Sequence, residues 1–327
     1  MKKTVLITGV TGQDGSYLAN FLLTKDYRVI GLVTSDSKDK LWRLDHFKIR
    51  SEVELVAEDI TESAKMAAVI RRYQPHEFYN LAGQSSVARS WENPSETFKV
   101  NALAVVQILE LLRLHSPHTR FFQASSAEIY GDIDTTITEK INIFRPLHPY
   151  GTSKLAAHLA VKNFREQYGL FASNGILYTH ISPLQADYTV AKNIAKGAAL
   201  VACGQADKIT VGNIAVLRDW SYAGDVVRAM WMMLQQKKAE DFVICSGKSS
   251  PVKSFAEEAL RYVGRKPWKK YIFSDKNLMR KNDTKKMFGS SKKLQRLGWR
   301  PEVDFKKLVK MMVDFELNAL QHGDNKK

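Results

Sequence analysis

Tyr150 and Lys154 stand four residues apart in "HPYGTSKLAAH". On a helix that spacing puts both side chains on one face, where an ammonium lowers the pKa of a neighbouring phenol. A tyrosine tuned in this way takes a proton from a substrate hydroxyl near neutral pH while hydride leaves the same carbon. Upstream, "RFFQASSAEIYG" reads as a buried strand spilling into a loop, with a carboxylate, Glu128, two residues after Ser126. A loop there is content with any polar residue. The carboxylate is either a second acid/base beside the serine or a plain capping or solvent-facing glutamate.

Hydride chemistry needs an acceptor and a frame to hold it. "TVLITGVTGQDGSYLANFLL" places Gly9, Gly12 and Gly15 directly between a strand and a helix. The first glycine allows a tight turn, the next lets backbone approach a pyrophosphate, and the third lets helix and strand pack closely. The run "TVLITG", "YRVIGLV", "VELVAED", "EFYNLAG", "RFFQASS" reads as strands. The intervening "GSYLANFLLTKD", "SAKMAAVIRRY" and "NALAVVQILELLRLH" have helical spacing. This alternation predicts an α/β fold, a doubly wound parallel Rossmann sheet. "ASNGILYTH" and, much later, "EDFVICSG" add strands, whereas from Ser182 the pattern turns irregular, with helices such as "VKSFAEEALRYVG" and "FKKLVKMMVDFELNAL". The expected organisation is a Rossmann domain over 1–180, rejoined by about 215–246, and a smaller, mostly C-terminal α/β substrate domain over 181–327. Asp59, closing the third strand, either accepts from an adenine amino group or serves as a turn residue. The second strand ends "GLVTSDSK", with neither acid nor arginine at its edge. Lys38 and Arg43 are near enough to serve a 2′-phosphate, and Asp36 could turn inward to a ribose, so NADP and NAD both stay open.

The 327 residues, 44% hydrophobic and 25% charged, suit a soluble globular protein with a sizeable core. "MKKTVLITGVTG" is too short an apolar run for a signal peptide or a membrane span, so a cytoplasmic chain with no membrane contact is expected. Cys203 and Cys245 have neither disulfide nor metal-ligand spacing, and no metal is expected. The net charge of +15 is concentrated late, in "GRKPWKKYIF" and "NLMRKNDTKKMFGSSKKLQRLGWR". No RNP-like aromatic pattern, zinc spacing or base-reading helix accompanies it, so nucleic acid is not the expected partner. A phosphorylated small molecule would use a few of the cations, leaving the rest as a solvated face.

The glycine loop, the "SSAEIYG" strand end and the Tyr150/Lys154 pair together resemble the extended short-chain dehydrogenase/reductase family. "YNLAGQSSVARSWENPSETFKVNA", "FFQASSAEIYG", "NGILYTHISP", "VGNIAVLRDWSYAGDVVRAMWMMLQ" and "LGWRP" are similar, in order and spacing, to the signatures of its GDP-mannose 4,6-dehydratases. The resemblance implies a dehydratase with Ser126, Glu128, Tyr150 and Lys154 as catalytic set. Ser126 hydrogen-bonds O4, Tyr150 deprotonates it, and Glu128 removes the C5 proton and protonates the departing C6 hydroxyl. It implies a tightly bound NADP or NAD contacted by Gly9, Gly12, Gln13, Asp14, Gly15, Thr34, Arg43, Asp59, Ile60, Leu81, Ala82, Tyr150, Lys154 and His180. It implies a GDP-sugar contacted by Ser85, Thr179, Lys192, Arg218, Arg280 and Asp283, the two arginines clamping the diphosphate. It also implies a homodimer through "NALAVVQILELLRLH" and the helix after Tyr150, and possible tetramers.

Departures from the family pattern cluster around sugar and interface. Thr34 and Ser35 replace an arginine pair tied to NADP binding and a tetrameric contact. Thr179 stands for asparagine, "ISPLQA" at Ile181 to Ala186 for "ESPRRG", Asn193 beside Lys192 for a phosphate-contacting lysine, and Ser126 for threonine. The chemistry is therefore expected on GDP-mannose, with GDP-N-acetylglucosamine or another GDP-sugar as the alternative. The competing readings are a GDP-4-keto-6-deoxyhexose reductase or epimerase, and a non-catalytic Rossmann protein that senses dinucleotide or binds RNA.

Overall fold

The computed structural model describes residues 2–34, 40–279, 284, 287–321 and 323. Strand and helix alternate through the first half: β1 (Thr4–Thr8), α1 (Gln13–Leu23), β2 (Arg28–Val33), α2 (Trp42–His46), β3 (Glu54–Ala57), α3 (Ser63–Tyr73) and β4 (Glu77–Asn80). Next come α4 (Val87–Glu92), α5 (Pro94–Phe98), α6 (Ala104–His115), β5 (Arg120–Ser126), α7 (Pro149–Tyr168) and β6 (Ala172–Leu177). The later elements are β7 (His180–Ile181), α8 (Val190–Ala202), β8 (Ile209–Val211), β9 (Leu217–Asp219), β10 (Ser221–Tyr222), α9 (Ala223–Leu234) and β11 (Phe242–Ile244). The chain closes with β12 (Ser249–Pro251), α10 (Val252–Tyr262), β13 (Ile272–Ser274), α11 (Lys292–Arg296) and α12 (Phe305–Gln321).

Among the described residues, seven strands form one parallel sheet in the order β11-β6-β5-β4-β1-β2-β3. Successive strand residues point to opposite faces, and the core divides accordingly. Val5, Ile7, Tyr79 and Phe122 pack with Leu18 and Leu22 of α1 and Met230 and Met233 of α9. Leu6, Phe78 and Phe121 pack on the other face with Ile70 of α3, Ile108 and Leu112 of α6 and Val161 of α7. Each such side chain contributes about 1.5–3 kcal/mol on burial. The fold is the doubly wound sheet that the alternation predicts.

The order also fixes where a ligand can sit. From β1 the chain passes to β2 on one side, while β4 lies on the other, so the carboxyl ends of β1 and β4 border the crevice where the winding reverses. Above it, Ile194 and Ala198 of α8, Phe255 and Ala259 of α10 and Leu308 and Met312 of α12 form a separate cluster with Trp220 and Ile181. β7 pairs with β10, which leads into α9 beneath.

Candidate active site

β5 ends on Ser126, and the chain turns at once through a 3₁₀ segment, Ala127–Ile129, with the Glu128 N–H on Ser126 Oγ at 3.2 Å. Helix α7 starts opposite, with Pro149 in its first turn and His148 as its cap, so Tyr150 and Lys154 share its inner face. Gly151 makes the approach possible, because a Cβ there would meet the Glu128 carbonyl at 2.8 Å. Ser126, Glu128, Tyr150 and Lys154 are thus brought to one end of the sheet. Glu128 Oε2 lies 3.2 Å from His148 Nε2 and accepts from the Thr284 hydroxyl at 2.8 Å. Burial works to raise its pKa, but the His148 hydrogen bond, the charge of Arg218 and the Thr284 hydroxyl outweigh it and hold the carboxyl below its usual range.

The phenol and the ammonium depart from the expected coupling. Tyr150 is part-exposed as a residue, yet its hydroxyl is withdrawn from water beside that of Ser126. Burial pushes the phenol up to about 12, against the lowering effect of the Ser126 hydroxyl and with the charge of Glu128 adding to the rise. Lys154 Nζ is 5.9 Å from the Tyr150 ring centroid and donates instead to the Ala124 carbonyl at 2.8 Å. It is 7% exposed, and burial brings its pKa down to about 8 despite Asp14. The four-residue spacing places both groups on one face, but an ammonium directed at a strand carbonyl does not by itself tune the phenol.

The glycine loop is tight enough to admit only glycine. Gly9 has φ +67°, and a Cβ there would lie 2.9 Å from the Ala82 nitrogen; at Gly15 it would lie 2.2 Å from the Gly9 carbonyl. Leu81 and Ala82 N–H both bond Thr8 Oγ1 at 3.0 Å, fixing the end of β4 against the loop. Gly12 starts α1 with no side chain capping its first N–H groups, which leaves that turn suited to a diphosphate. Gln13 and Asp14 are joined to the opposite wall. Ser182 donates to Gln13 Oε1 at 2.9 Å, and His180 Nε2 lies 2.8 Å from Asp14 Oδ2. Asp59 bonds the Thr61 N–H at 2.8 Å as a turn residue while remaining exposed, and Ile60 is buried beside Leu6. Thr34 follows β2 directly. The donors, the uncapped turn and the glycine contacts fit a dinucleotide.

Two of the expected ligand contacts have other partners. Arg43 is 8% exposed, donating to the Leu184 carbonyl at 2.6 Å and the Thr11 carbonyl at 3.3 Å, so its guanidinium ties the glycine loop to the 181–186 segment rather than standing at the edge of β2. Lys192 is buried between α8 and α12, bonded to the Pro183 carbonyl and ion-paired with Glu316, in place of the phosphate contact expected of it. Burying an ammonium requires such a partner. Ser85 reaches Tyr188 at 3.3 Å, Thr179 accepts the Ser221 N–H at 3.1 Å, and Arg218 holds the Thr284 carbonyl at 2.7 Å. Ser35, Asp36, Lys38, Arg280 and Asp283 lie outside the described residues.

Four residues that the sequence did not single out belong to this cleft. His148 and Thr284 hold Glu128, Tyr188 faces Ser85, and Asn101 bonds both Gln84 backbone groups at 2.9 Å and Ser153 Oγ at 3.2 Å. Asn101 projects from a π-helical turn, Lys99–Leu103, a local irregularity that commonly marks function. A cap-forming position just before Tyr150 was the available signal for His148.

A family model described as GDP-mannose 4,6 dehydratase matches residues 6–312. The chain belongs to this family. GDP-mannose 4,6 dehydratase 1 of Arabidopsis thaliana is 39% identical, over 97% of this chain and 90% of its own length. GDP-mannose 4,6-dehydratase of Vibrio cholerae is 37% identical, over 98% and 95%. Among solved structures, UDP-glucose 4-epimerase of Thermotoga maritima superposes with a TM-score of 0.84 at 24% identity, covering 97% of this chain and 99% of that one, a likeness of fold. Among the described residues no helix is long and apolar enough to cross a membrane, and no group of His, Cys, Asp and Glu could hold a metal ion.

Proposed function

We propose that the chain is a hydro-lyase that converts GDP-mannose to its 4-keto-6-deoxy product, with Ser126, Glu128, Tyr150 and Lys154 as the reacting set. The observation that carries this reading is the carboxylate of Glu128, kept ionised beside Ser126 and Tyr150. An epimerase or a ketoreductase needs no such base, whereas loss of water across C5–C6 does. Family membership supplies the nucleotide sugar.

In the proposed cycle Tyr150 takes the O4 proton while Ser126 orients that oxygen. When bound, an oxidised nicotinamide dinucleotide supplies the acceptor for hydride from C4, its return to C6, and a positive charge beside the phenol. Gly9, Gly12, Gly15, Gln13, Asp14, Leu81, Ala82 and Lys154 would hold that group, and Thr34 with residues 35–39 would distinguish NADP from NAD. Oxidation at C4 acidifies C5. Glu128 takes the C5 proton and delivers it to the leaving C6 hydroxyl, so one water departs and the carboxylate is restored. When C6 is reduced, Tyr150 gives the proton it took from O4 to C5, so the 4-ketone is kept and the cycle resets. Arg218, near Glu128, is proposed to meet the diphosphate.

We further propose two functional units, a dinucleotide-binding sheet and a nucleotide-sugar-binding unit built on the α8, α10 and α12 cluster. Assembly is proposed as a homodimer through α6 and α7, on the support of exposed Leu103, Val106, Leu114 and Leu159; light scattering of a monomer would sink that part. The function is tested by incubating the purified protein with NADP or NAD and each of GDP-mannose, GDP-N-acetylglucosamine, UDP-glucose and dTDP-glucose. The expected product is an alkali-sensitive ketone lighter than GDP-mannose by one water, carrying solvent deuterium at C5. Conversion of no GDP-sugar overturns the reading.

A further inference from the structure

His148 lies against both Glu128 and Tyr150, and its two ring nitrogens have separate jobs. Nδ1 accepts the Gly151 N–H at 3.0 Å, capping α7. A ring nitrogen that accepts a backbone N–H carries no proton of its own, so the imidazole hydrogen resides on Nε2. Nε2 lies 3.2 Å from Glu128 Oε2 and therefore donates to it. The ring is 4% exposed and lies close to parallel with that of Tyr150, at 26° with centroids 5.9 Å apart. Thr284 adds a second donor to the same oxygen at 2.8 Å. Among the described residues, Oε1 of Glu128 carries no hydrogen bond, so one carboxylate oxygen is fastened and the other is left for the substrate.

We infer that His148 is a positioning residue for dehydration: capping α7 with Nδ1 and fastening Oε2 of Glu128 with Nε2, it locks the carboxylate to the helix that carries Tyr150 and presents Oε1 to the C5 proton. The inference rests on the dehydratase reading. It explains why a helix that could be capped by serine, threonine, asparagine or aspartate is capped by a histidine. A shorter cap satisfies the Gly151 N–H and stops there, whereas imidazole extends to a second acceptor on the far side. The proton then has a defined course. It moves from C5 to Oε1, and from Oε1 to the oxygen leaving C6, while Oε2 stays bonded to His148 and Thr284 throughout.

Two substitutions separate capping from positioning, because asparagine places an acceptor where Nδ1 stands and glutamine places a donor where Nε2 stands. His148→Asn keeps the cap and loses the bond to Glu128. His148→Gln keeps a donor for Glu128 and weakens the cap. The expected result is that His148→Asn melts with the wild type, yet loses about 10- to 100-fold in kcat with little change in KM, the scale of one hydrogen bond to a charged group. Deuterium incorporation at C5 should fall in step. In a single turnover the reduced dinucleotide should accumulate, since oxidation at C4 precedes the slowed step. The acid limb of the kcat profile should move to higher pH, because Glu128 retains Arg218 and Thr284 but loses one group that favours its charged form. His148→Gln should melt lower and recover most of kcat. Ring nitrogen chemical shifts of the wild type should report the Nε2–H tautomer. Activity that follows melting temperature across both variants, an unaffected His148→Asn enzyme, or a proton on Nδ1 each overturns the inference while leaving an active dehydratase. Wild-type protein that converts no GDP-sugar overturns the dehydratase reading and this inference with it.

Discussion

Glu128 and Lys154 occupy two corners of the same cleft, and both are drawn out of water, yet they answer burial in opposite ways. Around Glu128 the chain gathers donors and positive charge, His148 from the cap of α7, Thr284, and Arg218 from β9, and the carboxyl stays below its usual range. Around Lys154 it offers one carbonyl and the more remote Asp14, and desolvation prevails, taking the ammonium down to about 8. Burial alone does not decide the charge of a group; the number and kind of partners brought into the same dry volume do. At the Glu128 corner the oxygen Oε2 has its partners without ligand. The Lys154 corner has a single hydrogen-bond acceptor among the described residues, which fits the proposed hold of Lys154 on a dinucleotide.

That contrast can be broken most severely at the carboxylate. Glu128→Gln should cost about 10²–10⁴ in product formation, with reduced dinucleotide still appearing in a single turnover. Tyr150→Phe should cost as much but give no reduced dinucleotide, since it blocks the first step rather than the second. A Glu128→Gln enzyme that also fails to oxidise C4 would mean that the two corners do not divide the chemistry as drawn. A smaller effect is expected from Thr284→Val, about tenfold in kcat, because His148 and Arg218 still hold the carboxylate. At the other corner, dinucleotide affinity measured by titration should weaken as pH rises through about 8 and Lys154 loses its proton; an affinity flat across that range would show the corner to be already satisfied.

The smallest expected effect lies at the wall of the cleft. The His180 pKa is raised from its ordinary 6.5, since Asp14 outweighs burial, and that of Asp14 is lowered from 3.8, since His180 outweighs burial. The histidine's contribution to stability is full below 6.5 and is lost as pH rises through its raised value. That of the aspartate is full above 3.8 and is lost as pH falls through its lowered value. Replacing His180 by Asn should therefore cost about 1–3 kcal/mol between those limits and less at alkaline pH, as read from melting temperature at several pH values. A gap that widens with pH would contradict the ion pair.

The same two corners mark how far a sequence can be read. Short apolar runs, helical spacing and glycine spacing located the strands of the central sheet, the glycine loop and the shared face of Tyr150 and Lys154, because those patterns are local. α8 and α9 were not read as helices: charged Lys192 and Asp225 stand on their buried sides, and apolar Trp231 and Met232 on the less buried side of α9, which blurs the period. Thr284 was invisible because its acceptor is 156 residues away, and the protein partners of Lys192 and Arg43, Glu316 and two carbonyls, were not foreseen because they exist only in the folded chain. His148 was overlooked because histidine is not among the preferred capping residues.

β11 reaches the sheet from far along the chain, pairing with β6, all of whose residues are buried, while Arg165 and Asn174 grip Asp241 at the join. On a ribosome, β6 emerges long before its neighbour does. Until then it offers a strand with one row of amide and carbonyl groups unpaired, the kind of edge that invites another polypeptide. Stalled or truncated translation products ending between these strands should be the aggregating form of this protein, and a chaperone that shields strand edges should be needed most in that interval.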